Sequence, residues 1–252
     1  RRHLVTPRRT ASAKILRGAV EERGDAFQPG MNRDALLGGL FILIALVGVP
    51  LAAGALRVAH GGHVPGSFER LLGPLREIND ERGLDNVEAR ASAIRAAAAE
   101  SGVPPLLLGA VMFSESRGRE GQKSPAGALG LLQLMPVAAR DAARRLGVTL
   151  AEDPAALERA LLEDEDLNIR LGAAHLRWLL DHQGDWTLEA VLVSYNAGRA
   201  RLFGWIEDHG SYGGWVRSEE VARAEGRPTS GALAYAREVL LARDKLEERG
   251  SL

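Results

Sequence analysis

The chain has 252 residues, of which 46% are hydrophobic and 26% are charged, and it contains no cysteine. This length and apolar content suffice for one ordinary core with additional segments, and the lack of cysteine excludes disulfides, thiolate-bound zinc and a thiol nucleophile. The net charge of −1 provides no field that would gather a polyanion, so no nucleic-acid partner is expected.

The N-terminal part of the sequence predicts a membrane segment over residues 35–56. Residues 36–56 form a run of 21 residues without a charge, which is about the length that crosses a bilayer. The preceding residues 1–34 are rich in arginine, which favours a cytoplasmic N-terminus and places the rest of the chain in the periplasm or outside the cell. Met31 is a candidate for the true start. The run fits an inner-membrane anchor and a cleaved signal segment, which would release the protein, about equally well.

The remainder of the sequence predicts helices joined by short loops. Residues 57–100 are predicted as a linker and helical lead-in, followed by a folded domain over 101–250. Residues 207–230 are rich in glycine and polar groups and are predicted as a loop, after which Thr229-Ser230 caps a last helix. No segment alternates apolar and polar residues over the length of a strand, so the predicted fold class is mainly α.

Glu115 is the candidate acid of this domain. Pro104-Pro105 opens a helix on which Leu108, Val111 and Met112 lie in the turns just before Glu115. A carboxyl at the end of such an apolar helix should be desolvated, which favours its protonated form. A protonated Glu near neutral pH is the group that donates a proton to a glycosidic oxygen.

Three motifs in order accompany this residue. They are Glu115-Ser116, the run Ser124-Pro-Ala-Gly-Ala-Leu-Gly-Leu-Leu-Gln-Leu-Met-Pro136, and Ser194-Tyr-Asn-Ala-Gly198. Together they closely resemble the catalytic domain of soluble-type lytic transglycosylases, which are relatives of goose-type lysozyme. The resemblance implies a lysozyme-like helical domain and cleavage of the bond between N-acetylmuramic acid and N-acetylglucosamine in peptidoglycan, with formation of a 1,6-anhydromuramic acid end.

The resemblance also implies roles for particular residues and needs no cofactor. Glu115 would act first as acid and then as base, and the Tyr195 hydroxyl could hold its carboxyl. The substrate-binding residues implied are Ser124, Gln133, Met135, Tyr195, Asn196 and Tyr235. No metal site is expected, because His60 and His63, the close histidine pair, lie in a glycine-rich linker and are predicted to be solvated.

The sequence leaves two alternatives open. One is a muramidase that uses the same fold and lets water attack; the other is a membrane-anchored wall-binding scaffold with an idle site. The presence of Glu115, Gln133 and Tyr195 argues against the scaffold. The chain departs from the family in Arg117 and the residues after it, and in His175, which stands where a tyrosine is common.

Overall fold

A computed structural model describes residues 66–182, 184 and 186–252, with the side chains described from residue 76 onward. Within these residues the chain is mainly helical, which confirms the predicted fold class, and its only extended pairs are two isolated bridges, Lys123 with Leu129 and Leu129 with Leu134. Within the described part, no helix has both the length and the apolar character needed to cross a membrane. The predicted segment 36–56, Met31, His60 and His63 lie outside the described residues.

The helices of the described residues follow the chain in the order α1 Gly66–Glu88, α2 Ala91–Ser101, α3 Pro105–Ser116, α4 Pro136–Leu146, α5 Pro154–Glu163, α6 Glu165–Asp181, α7 Leu188–Ala197, α8 Arg199–His209, α9 Tyr212–Ala224 and α10 Ala232–Arg249.

Helix α3 lies at the centre of the core. Every residue from Leu107 to Phe113 is buried, and α1, α2 and α10 all pack against the helix. The C-terminal residue Leu252 packs closely against α3, because a Cβ added at Gly109 would lie 2.4 Å from the Leu252 side chain. Pro105 begins α3 as predicted, because a proline in the first turn needs no helical N–H partner.

The prediction of a loop over residues 207–230 is wrong for most of its length. Residues Tyr212–Ala224 form α9, whose first turn is capped by Ser211, with the Oγ accepting from the Gly214 N–H at 3.0 Å. A Cβ at Gly214 would lie 2.3 Å from the His209 carbonyl oxygen, so glycine is needed where the chain turns from α8 into α9. The buried Trp215 then stacks on Trp205 with ring centroids 4.9 Å apart, which fixes α9 against α8.

Candidate active site

Glu115 lies in the last turn of α3, where the central helix leaves the core. The helix ends at Arg117, whose N–H donates to the Phe113 carbonyl at 2.8 Å. Seven consecutive buried residues precede this turn, so the position of the Glu115 backbone is set by the packed interior and not by a surface loop. The Glu115 side chain itself is half-buried.

The environment of Glu115 makes it a weak acid. Burial raises the pKa of its carboxyl from the ordinary value of 4.5 to about 7. The hydrogen bond that it accepts from Tyr235 opposes this rise by stabilising the charged form, and the negative charge of Glu238 adds to it. Near neutral pH the group is therefore populated in both protonation states, which suits a residue that must give up a proton and take one back.

Two tyrosines from distant parts of the chain lie beside this carboxyl. Tyr235, in the first turn of α10, donates its hydroxyl proton to Glu115 Oε1 at 2.7 Å. Tyr195, in the last turn of α7, donates instead to the Leu132 carbonyl at 2.9 Å. The prediction that Tyr195 holds the Glu115 carboxyl is therefore wrong in this structure, in which Tyr235 makes the contact.

Both phenols remain protonated donors near neutral pH and well above it. Burial, reinforced by the charge of Glu115, raises the pKa of Tyr195 and of Tyr235 well above the ordinary value of 10.0. The influence of Glu115 on Tyr195 also shows that Tyr195 lies close to the acid, although it does not bond to it.

The loop between α3 and α4 is held by a buried asparagine. Asn168, in the first turns of α6, accepts from the Leu132 N–H at 2.9 Å and donates to the carbonyls of Leu129 and Leu161 at 3.0 Å each. Gly130 makes this network possible, because a Cβ there would lie 2.3 Å from the Asn168 amide nitrogen. A glycine is therefore needed at position 130 for two reasons: a side chain would clash with Asn168, and the backbone has a positive φ of 75°.

Two motif side chains use their polar groups within this loop. The Ser124 Oγ accepts from the Ala128 N–H at 2.9 Å, which closes the tight turn before Gly130. Gln133 has a φ of 44°, in the left-handed region that non-glycine residues seldom adopt, and its Nε2 donates to the carbonyls of Gly130 and Gln122 at 2.8 and 3.1 Å. The Gln133 amide oxygen is not used in these two contacts and is an available acceptor.

A groove of about 440 Å³ lies between this loop and the C-terminal end of α7. Four predicted binding residues line it together: Gln133, Met135, Tyr195 and Asn196. Met135 is 42% exposed, and so offers an apolar surface of the kind that a sugar face can contact. Glu115, Ser124 and Tyr235 are not among the residues that line this groove. Ser124 closes the turn before Gly130, and Tyr235 contacts the acid.

His175 lies in the same groove, where its ring contacts Tyr195 at a centroid distance of 5.4 Å and Trp178 at 6.2 Å. Burial, reinforced by the positive charge of Arg145, lowers the pKa of His175 to about 4. The imidazole is therefore neutral near pH 7 and lines the groove as an uncharged aromatic ring, as a tyrosine ring would.

Two residues outside the three motifs support the site, Asn168 and Glu238, and neither of them is assigned a role in the sequence analysis. The available signal for Asn168 was its place between Leu167 and Ile169 on an apolar helix, because a polar residue at a core position is normally buried with partners. Glu238 gave no signal, since a charged residue on a helix is usually solvated.

Part of the chain is similar in sequence to a known protein family and to proteins of known activity. A family model described as Transglycosylase SLT domain matches residues 92–217. The transglycosylase of Enterobacteria phage PRD1 is 37% identical over 123 residues, which cover 49% of this chain and 40% of the phage protein. The soluble lytic murein transglycosylase of Escherichia coli (strain K12) is 29% identical over 138 residues, which cover 55% of this chain and 20% of that protein.

Two solved structures resemble the chain. An inactive mutant of the lytic transglycosylase Slt from Pseudomonas aeruginosa shares 26% identity, with a TM-score of 0.49 and coverage of 63% of this chain and 24% of the other. The 70 kDa soluble lytic transglycosylase SLT70 from Escherichia coli shares 25% identity, with a TM-score of 0.48 and coverage of 62% and 24%. The chain spans less than half the length of each of these relatives.

Proposed function

Because the chain belongs to the transglycosylase SLT domain family, we propose that it is a lytic transglycosylase. It cleaves the β-1,4 bond between N-acetylmuramic acid and N-acetylglucosamine in peptidoglycan and leaves a 1,6-anhydromuramic acid end. The observation that carries the proposal is the Glu115 carboxyl, which has a pKa of about 7 and receives the Tyr235 hydroxyl at 2.7 Å. The charge of Glu115 also acts on Tyr195, which is one of the residues that line the groove.

The proposed reaction uses Glu115 twice. In the first step the protonated carboxyl gives its proton to the glycosidic oxygen, and the bond from that oxygen to C1 of the muramic acid breaks. In the second step the carboxylate takes the proton of the muramic acid's own 6-hydroxyl, and that oxygen forms the new bond to C1. No water is consumed, and Glu115 ends in the protonated form in which it began.

The tyrosines and the groove have separate roles in this proposal. Tyr235 keeps the carboxyl oriented and stabilises its charged form between the two steps. Gln133 and Asn196 offer amide groups to the hydroxyl and N-acetyl groups of the sugars, and Met135 contacts a sugar face. Ser124 acts by closing the loop that positions Gln133.

The surroundings of Glu115 favour this reaction over hydrolysis by a muramidase. An enzyme that activates water usually has a second carboxylate at a fixed distance from the acid. Among the described residues, the carboxylate whose charge acts on Glu115 is Glu238, and that group already forms an ion pair with Arg117. An intramolecular hydroxyl as nucleophile needs no such partner.

Product analysis tests the proposal. Digestion of purified peptidoglycan, followed by mass spectrometry of the fragments, should give muropeptides that are lighter by one water than those of a hydrolase. Glu115→Gln should lower the rate by roughly 10²–10⁴-fold, because a general acid is lost. Glu248→Gln, an exposed position far along α10, is the matched control and should retain the wild-type rate. Fragments of hydrolysed mass would show a muramidase instead, and full activity of Glu115→Gln would remove the acid assignment.

We also propose that residues 36–56 hold the domain to the inner membrane, with the domain in the periplasm or outside the cell. The support is the 21-residue uncharged run behind an arginine-rich segment. A reporter that is active only after export, fused after Leu252, should be active in cells. A fusion that works only with a cytoplasmic reporter would overturn this topology.

A further inference from the structure

Arg117 ends the catalytic helix in an unusual conformation. Its φ is 56°, in the left-handed region that favours glycine, yet the residue carries a long side chain. The backbone is fixed on both sides, because the Arg117 N–H donates to the Phe113 carbonyl at 2.8 Å and the Arg117 carbonyl accepts from Asn86 Nδ2 at 3.1 Å. A strained residue that is held this firmly two positions after the acid suggests a local purpose.

The guanidinium of Arg117 lies in a slot built from three helices. It forms ion pairs with Glu238 on α10 and with Asp80 on α1, the latter at 3.2 Å from Nε to Oδ1, and it lies 4.2 Å from the centre of the Phe113 ring. The slot depends on Gly83, where a Cβ would come within 2.9 Å of the Arg117 side chain. Only 20% of the side chain is exposed, so solvent screens these pairs less than it screens an ordinary surface salt bridge.

Glu238 connects this slot with the acid. It lies three residues after Tyr235, one turn further along α10, so both side chains project from the same face of that helix. Tyr235 bonds to Glu115, and Glu238 pairs with Arg117. The C-terminal end of α3 is therefore joined to α10 by two adjacent contacts, the hydrogen bond from Tyr235 to Glu115 and the ion pair between Arg117 and Glu238. The charge of Glu238 also acts on Glu115 itself.

We propose that Arg117 is a positioning residue for Glu115: by pairing with Glu238 it holds Tyr235 in register with the acid and offsets the negative charge behind it, which sets the pH range in which the acid works. The proposal rests on the proposed function for its catalytic meaning. The charged and titratable groups around Glu115 in the described residues are Tyr235 and Glu238 from α10, Tyr195 from α7 and Arg117 directly after α3. Arg117 in turn pairs with Asp80 of α1.

The signs of the expected effects differ between the two partners. Removing the positive charge in Arg117→Gln leaves Glu238 uncompensated, which should make Glu115 harder to ionise. Removing the negative charge in Glu238→Gln should make Glu115 easier to ionise. Each shift should be about half a pH unit, because Glu238 is 40% exposed and water screens part of its charge. The double variant should lie near the wild type, and so should Arg117→Lys, which keeps the charge.

The experiment is a ¹³C NMR titration of the full chain labelled at the glutamate side-chain carboxyl, with the Glu115 resonance assigned by its loss in Glu115→Gln. Arg237→Gln is the matched control, because Arg237 also forms ion pairs from α10, but its partners in the described structure are Glu189 and Glu220 and not Glu238. It should leave the Glu115 midpoint unchanged. Circular dichroism of each variant confirms that the helices are retained.

Opposite shifts for Arg117→Gln and Glu238→Gln support the proposal, as does a matching displacement of the high-pH limit of activity. Unchanged midpoints, or shifts in the same direction, would overturn it. If Arg117→Gln does not fold, Glu238→Gln and Arg117→Lys decide: a lowered midpoint in the first and an unchanged one in the second are required. The titration needs no turnover, so failure to form an anhydro product would refute the proposed function without altering this result.

Discussion

The substitution Glu115→Gln should make the protein more stable at neutral and alkaline pH. In the folded protein the pKa of Glu115 is raised to about 7 from an ordinary 4.5, chiefly by burial. Between these two pH values the folded state therefore holds a proton that the unfolded state has lost, so stability falls as the pH rises. The loss is fully present above pH 7 and absent below about pH 4.5. Glutamine resembles the protonated acid in shape and cannot ionise.

The size of the effect follows from the shift. At about 1.4 kcal/mol for each pH unit, a carboxyl raised from 4.5 to about 7 destabilises the folded state by roughly 3 kcal/mol once it is ionised. Because Glu115 is only half-buried and water can reach part of it, we regard this as the upper end. Glu115→Gln should therefore match the wild type near pH 4.5 and exceed it by about 1–3 kcal/mol at pH 8.5.

Urea unfolding followed by circular dichroism, at several pH values between 4.5 and 8.5, measures this difference. Glu248→Gln, which makes the same carboxyl-to-amide change at an exposed position of α10, serves as the control. A difference between Glu115→Gln and wild type that stays constant across the whole range would refute the reasoning, because it would mean that the Glu115 pKa is the same in the folded and unfolded states. A difference that grows with falling pH would refute it as well.

Three further substitutions test the contacts around the acid. Tyr235→Phe removes the hydroxyl that reaches Glu115 and should lower the rate of peptidoglycan digestion about ten- to a hundredfold. Tyr195→Phe should lower the rate less, and a larger loss in this variant would show that Tyr195 and not Tyr235 supports the acid. Asn168→Ala removes three buried hydrogen bonds and should lower the free energy of unfolding by about 2–4 kcal/mol in a urea titration, and a loss under 0.5 kcal/mol would contradict the network. Gly130→Ala should lower the melting temperature, since its Cβ would meet Asn168; unchanged melting would show that the loop can move aside.

The parts of the molecule that follow local rules could be predicted from the sequence. The start of α3 at Pro105 and the end of α7 before Gly198 both depend on residues that limit helices through their own backbone preferences. The desolvation of Glu115 could be predicted for the same reason, because the apolar turns before it belong to the same helix. These predictions required no knowledge of how the helices pack.

The contacts between distant helices could not be predicted in this way. Tyr195 lies within the Ser194–Gly198 motif, and Tyr235, which the resemblance implied only as a substrate-binding residue, lies 40 residues later outside the three motifs, yet Tyr235 makes the bond to Glu115. Which phenol reaches the carboxyl depends on the depth at which α7 and α10 pack against α3, and periodicity carries no information on that depth. The same limit hid Glu238, whose sequence context is that of an ordinary exposed residue.

The missed helix α9 had a different cause. Gly213-Gly214 and several charged residues gave the segment the composition of a loop, although Ser211 was an available cap. The glycine at 214 is present because the chain turns tightly past His209, and not because the segment lacks regular structure. Composition alone does not separate these two reasons for a glycine.

The burial of α3 from Leu107 to Phe113 also determines how the catalytic acid responds to fluctuations. In many enzymes the active residues lie on loops that open locally at a small fraction of the free energy of global unfolding. Here Glu115 ends a helix whose residues from Leu107 to Phe113 are enclosed by α1, α2 and α10. We therefore expect the backbone amides from Leu107 to Phe113 to exchange with solvent only when most of the domain opens. Because this stretch holds the backbone of Glu115, heating should abolish activity at the temperature at which the domain unfolds, with no earlier loss of the site.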